Sequence, residues 1–435
     1  IAFKSVGCKL NQYEVDALKF GFDSSGCRIV PFGDSADVYV INTCTVTGSG
    51  DADSRKAVRR ARRTNPEATV VATGCYAHRR PHELEDAGAS LVVDNTDKAN
   101  LQERLRSHLQ LHGSDLETSP NSVSASGFLQ QHRPVDLSRT RGALQIQDGC
   151  DEHCTYCIIP GVRGAGRSRP IPEILEQAEA MAAAGFRELA LTGVHTGSYG
   201  YDRQEPEALV SLLKKMEAIE GLSRIRLNSV EPGYFSEALI EFAVTSDKLC
   251  RHFHVPLQSG DDQVLRRMGR RYRRAEYKKL VETLANQVPK CAIGADVMVG
   301  FPGESDLQFS GAVAFMDDLP LSYLHVFSYS QREGTPAERL CEQQPAETKK
   351  RRSQELIRLG ERKRLEFHQR HVGEEVEVLV EEERVNGTAL SSGLSDNYIK
   401  TLFAPSKPGA NQFDVVRIER AREDLVFGTT ALKHG

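Results

Sequence analysis

Ten short β-rich runs, most of them followed by a helix-compatible polar stretch, punctuate the chain up to residue 328. Strand–helix alternation leads to parallel pairing, because a strand that returns through a helix re-enters its sheet in the same direction. Four runs lie before residue 112: Ala2–Cys8, Val38–Cys44, Thr69–Cys75 and Ser90–Val93. Six follow residue 141: Ala143–Gln147, Glu188–Thr192, Arg224–Asn228, His252–Leu257, Ile293–Val299 and Tyr323–Ser328. Helical patterns such as Glu173–Ala184 and Tyr277–Val288 lie between them, and a charged helix is expected over Thr348–His371. The pattern predicts an α/β chain with an N-terminal parallel βα domain over 1–112 and a partial TIM-like (βα)6 barrel over 141–371. Residues 113–140 are rich in Ser, Gly, Pro and Asn and read as a linker. After Val372 the rhythm changes to short strands (Val376–Val380, Tyr398–Phe403, Val415–Ile418) separated by Gly, Asn and Pro. That predicts a small all-β barrel over 372–435.

Strand Ala143–Gln147 runs into Cys150-Asp151-Glu152-His153-Cys154-Thr155-Tyr156-Cys157. Three thiolates on one loop can hold three irons of a [4Fe–4S] cluster and leave the fourth iron without a protein ligand. An open iron allows inner-sphere electron transfer to a small molecule. The spacing, with an aromatic directly before the third Cys, resembles the radical S-adenosylmethionine superfamily, which implies S-adenosylmethionine as that molecule. A zinc site or an ordinary electron-transfer cluster is the plainer alternative, but zinc takes four ligands in closed sites and no fourth cysteine is near. A cofactor pocket is expected at the carboxyl ends of the strands. Thr192-Gly193, Ser229, Glu231, Gln258 and Val299-Gly300 stand there, and Tyr156 sits between two cluster cysteines. Glycine permits close approach to a ligand, while Glu231 or Gln258 can accept from an amine or a ribose hydroxyl.

Cys8, Cys44 and Cys75 are too scattered for a local motif, yet each ends the strand of a successive βα unit. In a parallel sheet such ends converge on one crevice. These three thiols are therefore candidates for a second cluster, again with an open iron; the alternative is three unrelated buried cysteines. One open cluster generates a radical while the other holds sulfur, a pairing that points to sulfur insertion into a C–H bond. Cys27, Cys250, Cys291 and Cys341 show no pattern and read as structural.

Taken together these stretches resemble the methylthiotransferases of the radical S-adenosylmethionine superfamily over essentially the whole chain, including a C-terminal TRAM-type barrel. Gly7-Cys8-Lys9-Leu10-Asn11-Gln12-Tyr13-Glu14, Asn42-Thr43-Cys44-Thr45-Val46-Thr47 and Leu191-Thr192-Gly193-Val194-His195-Thr196-Gly197 look like the branch acting on tRNA N6-threonylcarbamoyladenosine beside the anticodon. Two positions depart from the pattern: Gly161-Val162 replaces a Tyr-Ala pair, and Asn228 a commoner Ser. The resemblance implies two [4Fe–4S] clusters. One S-adenosylmethionine gives a 5′-deoxyadenosyl radical that attacks carbon 2 of the adenine. Sulfur arrives from the Cys8/Cys44/Cys75 cluster, and a second S-adenosylmethionine supplies the methyl group. It also implies an anticodon-loop partner, a sulfur donor, and an electron donor such as flavodoxin or ferredoxin. Rival readings are methylthiolation of N6-isopentenyladenosine or of a ribosomal-protein aspartate, and a non-catalytic iron–sulfur RNA-binding protein.

The formal net charge is −4, but basic residues are clustered. Arg59 and Arg62 belong to the run Arg55–Arg63; Arg163, Arg167 and Arg169 follow the radical motif; Arg270 lies within Arg266–Arg274; Lys349–Arg352 is a fourth group. Such runs in an acidic chain are expected to form a segregated phosphate-binding surface, although each alone reads equally well as a solvated helix face. Glu381-Glu382-Glu383 runs against that charge and is expected to face away from RNA. Reaching carbon 2 of a stacked purine requires drawing the base out of its stack. No apolar run approaches the roughly 20 residues of a membrane span. No export signal opens the sequence and ten cysteines suit a reducing compartment, so the expected location is the cytoplasm.

Overall fold

The computed structural model describes residues 1–111, 123–133, 140–382, 385, 388–405 and 409–431. Most of the expected linker, Glu383 and residues 432–435 lie outside the described residues. Near the N-terminus, β1 (Ala2–Ser5), β2 (Val38–Thr43), β3 (Thr69–Gly74) and β4 (Leu91–Val93) form one parallel sheet in chain order. The side-chain period of 2 divides each strand between two cores. Tyr39 and Ile41 pack on one face with Val58 and Val70, while Val38 and Val40 pack on the other with Phe3, Leu18 and Val71. Helices α1 (Lys9–Ser24), α2 (Gly48–Thr64) and α3 (Cys75–Arg79) follow the first three strands.

After β5 (Arg141–Gln145), a short antiparallel pair, β6 (Gln147–Asp148) and β7 (Arg167–Ser168), brackets the Cys150 loop. The expected strand Ala143–Gln147 is thus interrupted at Ile146, where the chain leaves the sheet to carry the loop. Strands β5, β8 (Glu188–Thr192) and β9 (Arg224–Leu227) form one parallel sheet; β10 (His252–His254), β11 (Ala292–Val299) and β12 (Tyr323–Ser328) form a second. A parallel bridge, Ile225 to Leu249, and the Val230 N–H donating to His254 O (3.0 Å) join them edge to edge. One apolar core of strand and helix side chains, from Leu144 to Leu359, serves both sheets.

The helix Ala346–Gln369 leads to a closed barrel in the order β13-β14-β15-β17-β16, built from Glu375–Glu382, Ser391–Ser395, Lys400–Ala404, Val426–Thr430 and Phe413–Ala421. This barrel docks at the amino ends of the central strands, opposite the Cys150 loop. Arg224 donates to Leu394 O (3.1 Å) and Glu377 O (2.8 Å); Arg226 donates to Asp396 O (2.9 Å) and Ser395 O (3.1 Å). Tyr398 stacks on His252 with ring centroids 4.2 Å apart. Arg226 also pairs with the fully buried Glu188 at 2.6 Å.

Removing one partner of a buried pair leaves the other charge uncompensated, at about 3–5 kcal/mol. Arg226→Met is expected to lower stability by that amount in urea unfolding, with Glu188→Leu/Arg226→Met recovering much of the loss.

Candidate functional site

The three strand-end cysteines of the N-terminal sheet meet on one cavity. Gly7 and Gly74 precede Cys8 and Cys75, and both take the left-handed backbone (φ +94° and +99°) that lets the chain swing off its strand. A Cβ on Gly7 would lie 2.6 Å from Cys44 Sγ, so the first and second cysteine segments touch. A Cβ on Gly74 would collide with Asn42 Oδ1 and the Thr43 backbone. Asn11 ties the crevice together by donating to Val6 O (2.7 Å) and Thr43 O (3.0 Å). Burial pushes the Cys8 thiol up and the Cys44 thiol to about 12. A metal bound by these thiols would have to displace those protons.

The Cys150 loop is pinned from the far side of the central domain. Thr155 N–H donates to Met268 O (2.9 Å), and Ala337 N–H donates to Thr155 O (2.8 Å). Arg270 Nη1 donates to Cys154 Sγ (3.2 Å), while its other amino group pairs with Glu231. The Glu152 N–H points at Cys150 Sγ (3.4 Å), and Tyr234 donates to the Glu152 carboxylate (2.7 Å). Burial raises the Cys150 thiol to about 11 and the Cys157 thiol to about 12. All ten cysteines are free. Among the described residues, the one His/Cys/Asp/Glu group whose ligand atoms all lie within 4.8 Å of one another is His254, Asp296 and His325. Neither cysteine trio gathers around a single ion that closely, whereas a cluster binds each sulfur through a different iron. Thiolate donors with N–H groups aimed at sulfur are the surroundings such a cluster takes.

One cavity adjoins this loop, and a second is lined by Ile159 and Arg163 of the segment just after it. The first, about 490 Å³, is lined by Glu152, Glu231, Tyr234, Gly269, Arg270 and Tyr272 among others. The second, about 380 Å³, brings Cys8, Cys44 and Cys75 onto one wall opposite Thr192, Gly193, Asn228 and Ser229. Its deeper wall holds His252, His254, Asp296, Tyr323, His325 and Tyr398. His254 (3.2 Å) and His325 (3.4 Å) face the Asp296 carboxylate, which they hold well below the usual carboxylate range despite its burial. Ser229 Oγ is 2.6 Å from His254 Nδ1.

The sequence-derived cofactor residues therefore divide. Thr192, Gly193 and Ser229 line the second cavity, and Glu231 lines the first. Gln258 takes a left-handed backbone (φ +63°) and pairs with β11 through Asp296 O and the Met298 N–H. Val299 is core, 1% exposed. Tyr156 packs beside Val264, Met268 and Phe301. The deep His–Asp–Tyr cluster was not read from the sequence; the alternating polar positions His252/His254 and Tyr323/His325 on otherwise apolar strands were its signal.

Three expected RNA contacts are corrected. Arg163 is buried: it donates from Nε to Cys75 Sγ (3.3 Å) and from Nη1 to Glu14 (3.0 Å) and Asp148 (2.9 Å). Arg169 is 0% exposed and is held by Gln177, Gln130 and Glu173. Arg270 is engaged by Cys154 and Glu231. A guanidinium neutralised in the interior cannot meet phosphate. Arg62 caps backbone carbonyls of Pro66, Ala68 and Gly88. Arg59 is exposed, as is Arg167, which stacks over Phe128 at 4.3 Å.

Residues 144–316 match the radical SAM superfamily, and residues 1–94 match the uncharacterized protein family UPF0004. The chain is 36% identical over 97% of its length to a threonylcarbamoyladenosine tRNA methylthiotransferase, MtaB, of Bacillus subtilis, covering 94% of that relative. It is 38% identical over 92% of its length to the protein of the same name from Aquifex aeolicus, covering 95% of it. A tRNA-2-methylthio-N(6)-dimethylallyladenosine synthase of Pelotomaculum thermopropionicum is 31% identical over 92% of this chain and 90% of its own. Among solved structures, the radical S-adenosylmethionine methyltransferase TsrM of Kitasatospora setae superposes with a TM-score of 0.57 at 15% identity, over 78% of this chain and 76% of that one, a likeness of fold. No helix among the described residues is long and apolar enough to cross a membrane.

Burial raises the Glu14 carboxyl, but Arg163 and Lys98 overrule it and hold the group well below the ordinary carboxylate range. Its contribution to stability is then complete above pH 4.5 and is lost as pH falls towards 2. Acid titration of unfolding is expected to show a steeper loss over that window in the wild-type protein than in Glu14→Gln.

Proposed function

This chain belongs to the radical S-adenosylmethionine methylthiotransferases that modify tRNA, and from that premise we propose its reaction in detail. The substrate is N6-threonylcarbamoyladenosine beside the anticodon, and the product is its 2-methylthio derivative. The observation that carries this reading is the shared cavity, with three N-terminal thiols on one wall and the carboxyl ends of the central strands on the other. A reaction joining a radical step to sulfur transfer needs both within reach of one atom.

Cys150, Cys154 and Cys157 are assigned to the [4Fe–4S] cluster that, when bound, supplies the electron cleaving S-adenosylmethionine. Cys8, Cys44 and Cys75 are assigned to a second cluster that carries sulfur. Arg270 donates to Cys154 and braces Glu231, so the acidic acceptor for a cofactor amine is fixed relative to the cluster loop. Thr192, Gly193 and Ser229 offer the wall along which a nucleoside lies. Tyr156, Gln258 and Val299 are assigned supporting roles, Tyr156 within a small apolar cluster beside the radical loop and the other two at β11. Division into residues 1–112, 141–371 and 372–435, the last of TRAM type, gives sulfur delivery, radical generation and RNA contact their own units. Exposed Arg59, Arg167, Arg266 and Arg271 are the phosphate contacts this reading uses. A sulfur source and a low-potential electron donor complete the cycle.

Anaerobically purified protein is expected to hold about eight irons per chain. Cys154→Ala should abolish formation of 5′-deoxyadenosine, whereas Cys44→Ala should retain it and form no methylthio product; equal loss of cleavage in both contradicts the assignment. Mass spectrometry of nucleosides from a deletion strain tests the substrate. Loss of the methylthio mark on isopentenyladenosine instead of threonylcarbamoyladenosine would replace this reading with its rival.

A further inference from the structure

The 380 Å³ cavity is lined by one cationic side chain that no carboxylate pairs with among the described residues. Its one lining carboxylate, Asp296, already faces His254 and His325. Arg163, also on the wall, is neutralised by Glu14 and Asp148. Lys9 is left. Its ammonium donates to Asn228 Oδ1 (3.2 Å), a neutral acceptor, and among the described residues no carboxylate oxygen lies within 4.0 Å of it. The ring of Tyr398 lies 6.0 Å away. The Lys9–Asn228 hydrogen bond spans from the N-terminal domain to the end of β9, so the ammonium is aimed across the cavity.

We propose that Lys9 is the specificity-determining residue that binds the carboxylate of the substrate's N6 substituent, with Asn228 positioning it. The assignment rests on the threonylcarbamoyladenosine reading above. Carbon 2 and the N6 substituent flank the same ring nitrogen of adenine, so an anion on that substituent and the reacting carbon share one edge of the base. Lys9 directly follows Cys8, and it therefore meets the substituent on the side where the thiols lie. An isopentenyl group has no charge to match this ammonium and gains nothing from it, which favours the acid substrate.

The test is equilibrium binding of anticodon stem-loop RNAs to cluster-loaded protein. The RNAs carry N6-threonylcarbamoyladenosine, its carboxyl methyl ester, or N6-isopentenyladenosine. Wild-type protein is expected to prefer the free acid over the ester by about 10- to 100-fold, the size of a charge-assisted hydrogen bond. Lys9→Met should lose that preference while keeping its affinity for the ester and its iron content, and Lys9→Arg should retain most of it. A Lys9→Met protein that keeps the acid-over-ester preference, or that loses both RNAs equally, overturns the assignment. Methylthiolation separates the two levels. If wild-type protein modifies the acid RNA but Lys9→Met still prefers it, Lys9 alone is misassigned; if wild-type protein modifies only the isopentenyl RNA, the substrate reading and this inference both fall.

Discussion

The Arg163 guanidinium is the contact on which the geometry of both cysteine sets depends. It leaves the segment directly after Cys157, crosses into the N-terminal domain, and ends against Cys75, Glu14 and Asn11, with Asp148 holding it from its own side. Glu14 is in turn bound by Lys98 (2.7 Å) and Asn42 (2.7 Å). Every charge in this knot faces an opposite charge, and one buried acceptor, Asn42 Oδ1, is left without a donor among the described residues. Pairing of the charges is the condition for a buried ionic network to stabilise anything. Because the network is directional, it fixes the orientation of one domain on the other as well as their distance. On the proposed reaction, two sites acting on one atom need that rigidity more than they need affinity.

A second constraint acts from below. Parallel strands leave their amino ends open as well as their carboxyl ends, and the start of β9 carries two arginines that would otherwise face solvent through the bore. The C-terminal barrel closes that end with backbone carbonyls of residues 377, 394, 395 and 396. Tyr398 passes far enough inward to line the 380 Å³ cavity. The barrel module therefore closes the inner end of the cavity, and its contribution there is structural.

The strand–helix rhythm was legible because apolar β-branched runs such as Val38–Ile41 have few other uses, and β8 and β12 fall on the expected residues. Ser391–Ser395 was not legible. It is a fully buried strand made of Ser, Gly and Leu, chosen for fit; a Cβ at Gly393 would approach Leu379 O to 2.9 Å. Val426–Thr430 was missed for want of alternation, since it pairs on both sides, with β15 and β16. The arginines show the deeper limit. Charge runs are read from sequence as surface, but Arg163 and Arg270 find carboxylates that lie far away along the chain, and Arg169 adds the distant Gln130 to its near neighbours Glu173 and Gln177. Only the fold brings Glu14 to Arg163 or Glu231 to Arg270.

The cysteines escaped that limit for a physical reason. A thiol at the end of a strand is positioned by the sheet, and sheet order follows from parallel pairing, so recurrence at equivalent strand ends is already a statement about space. A long side chain in a helix carries no such information, because its head group ranges over several ångströms and its partner decides where it settles. Lys9 lies between these cases. Its backbone is fixed by the turn that carries Cys8, and one hydrogen bond to Asn228 settles its head group. The glycine before that cysteine forces the turn, the turn opens α1 with Cys8 as its N-cap, and the first residue of the helix is thereby delivered to the cavity. The same backbone device that presents the Cys8 thiol thus presents the one cation in the cavity, among the described residues, without a matching carboxylate.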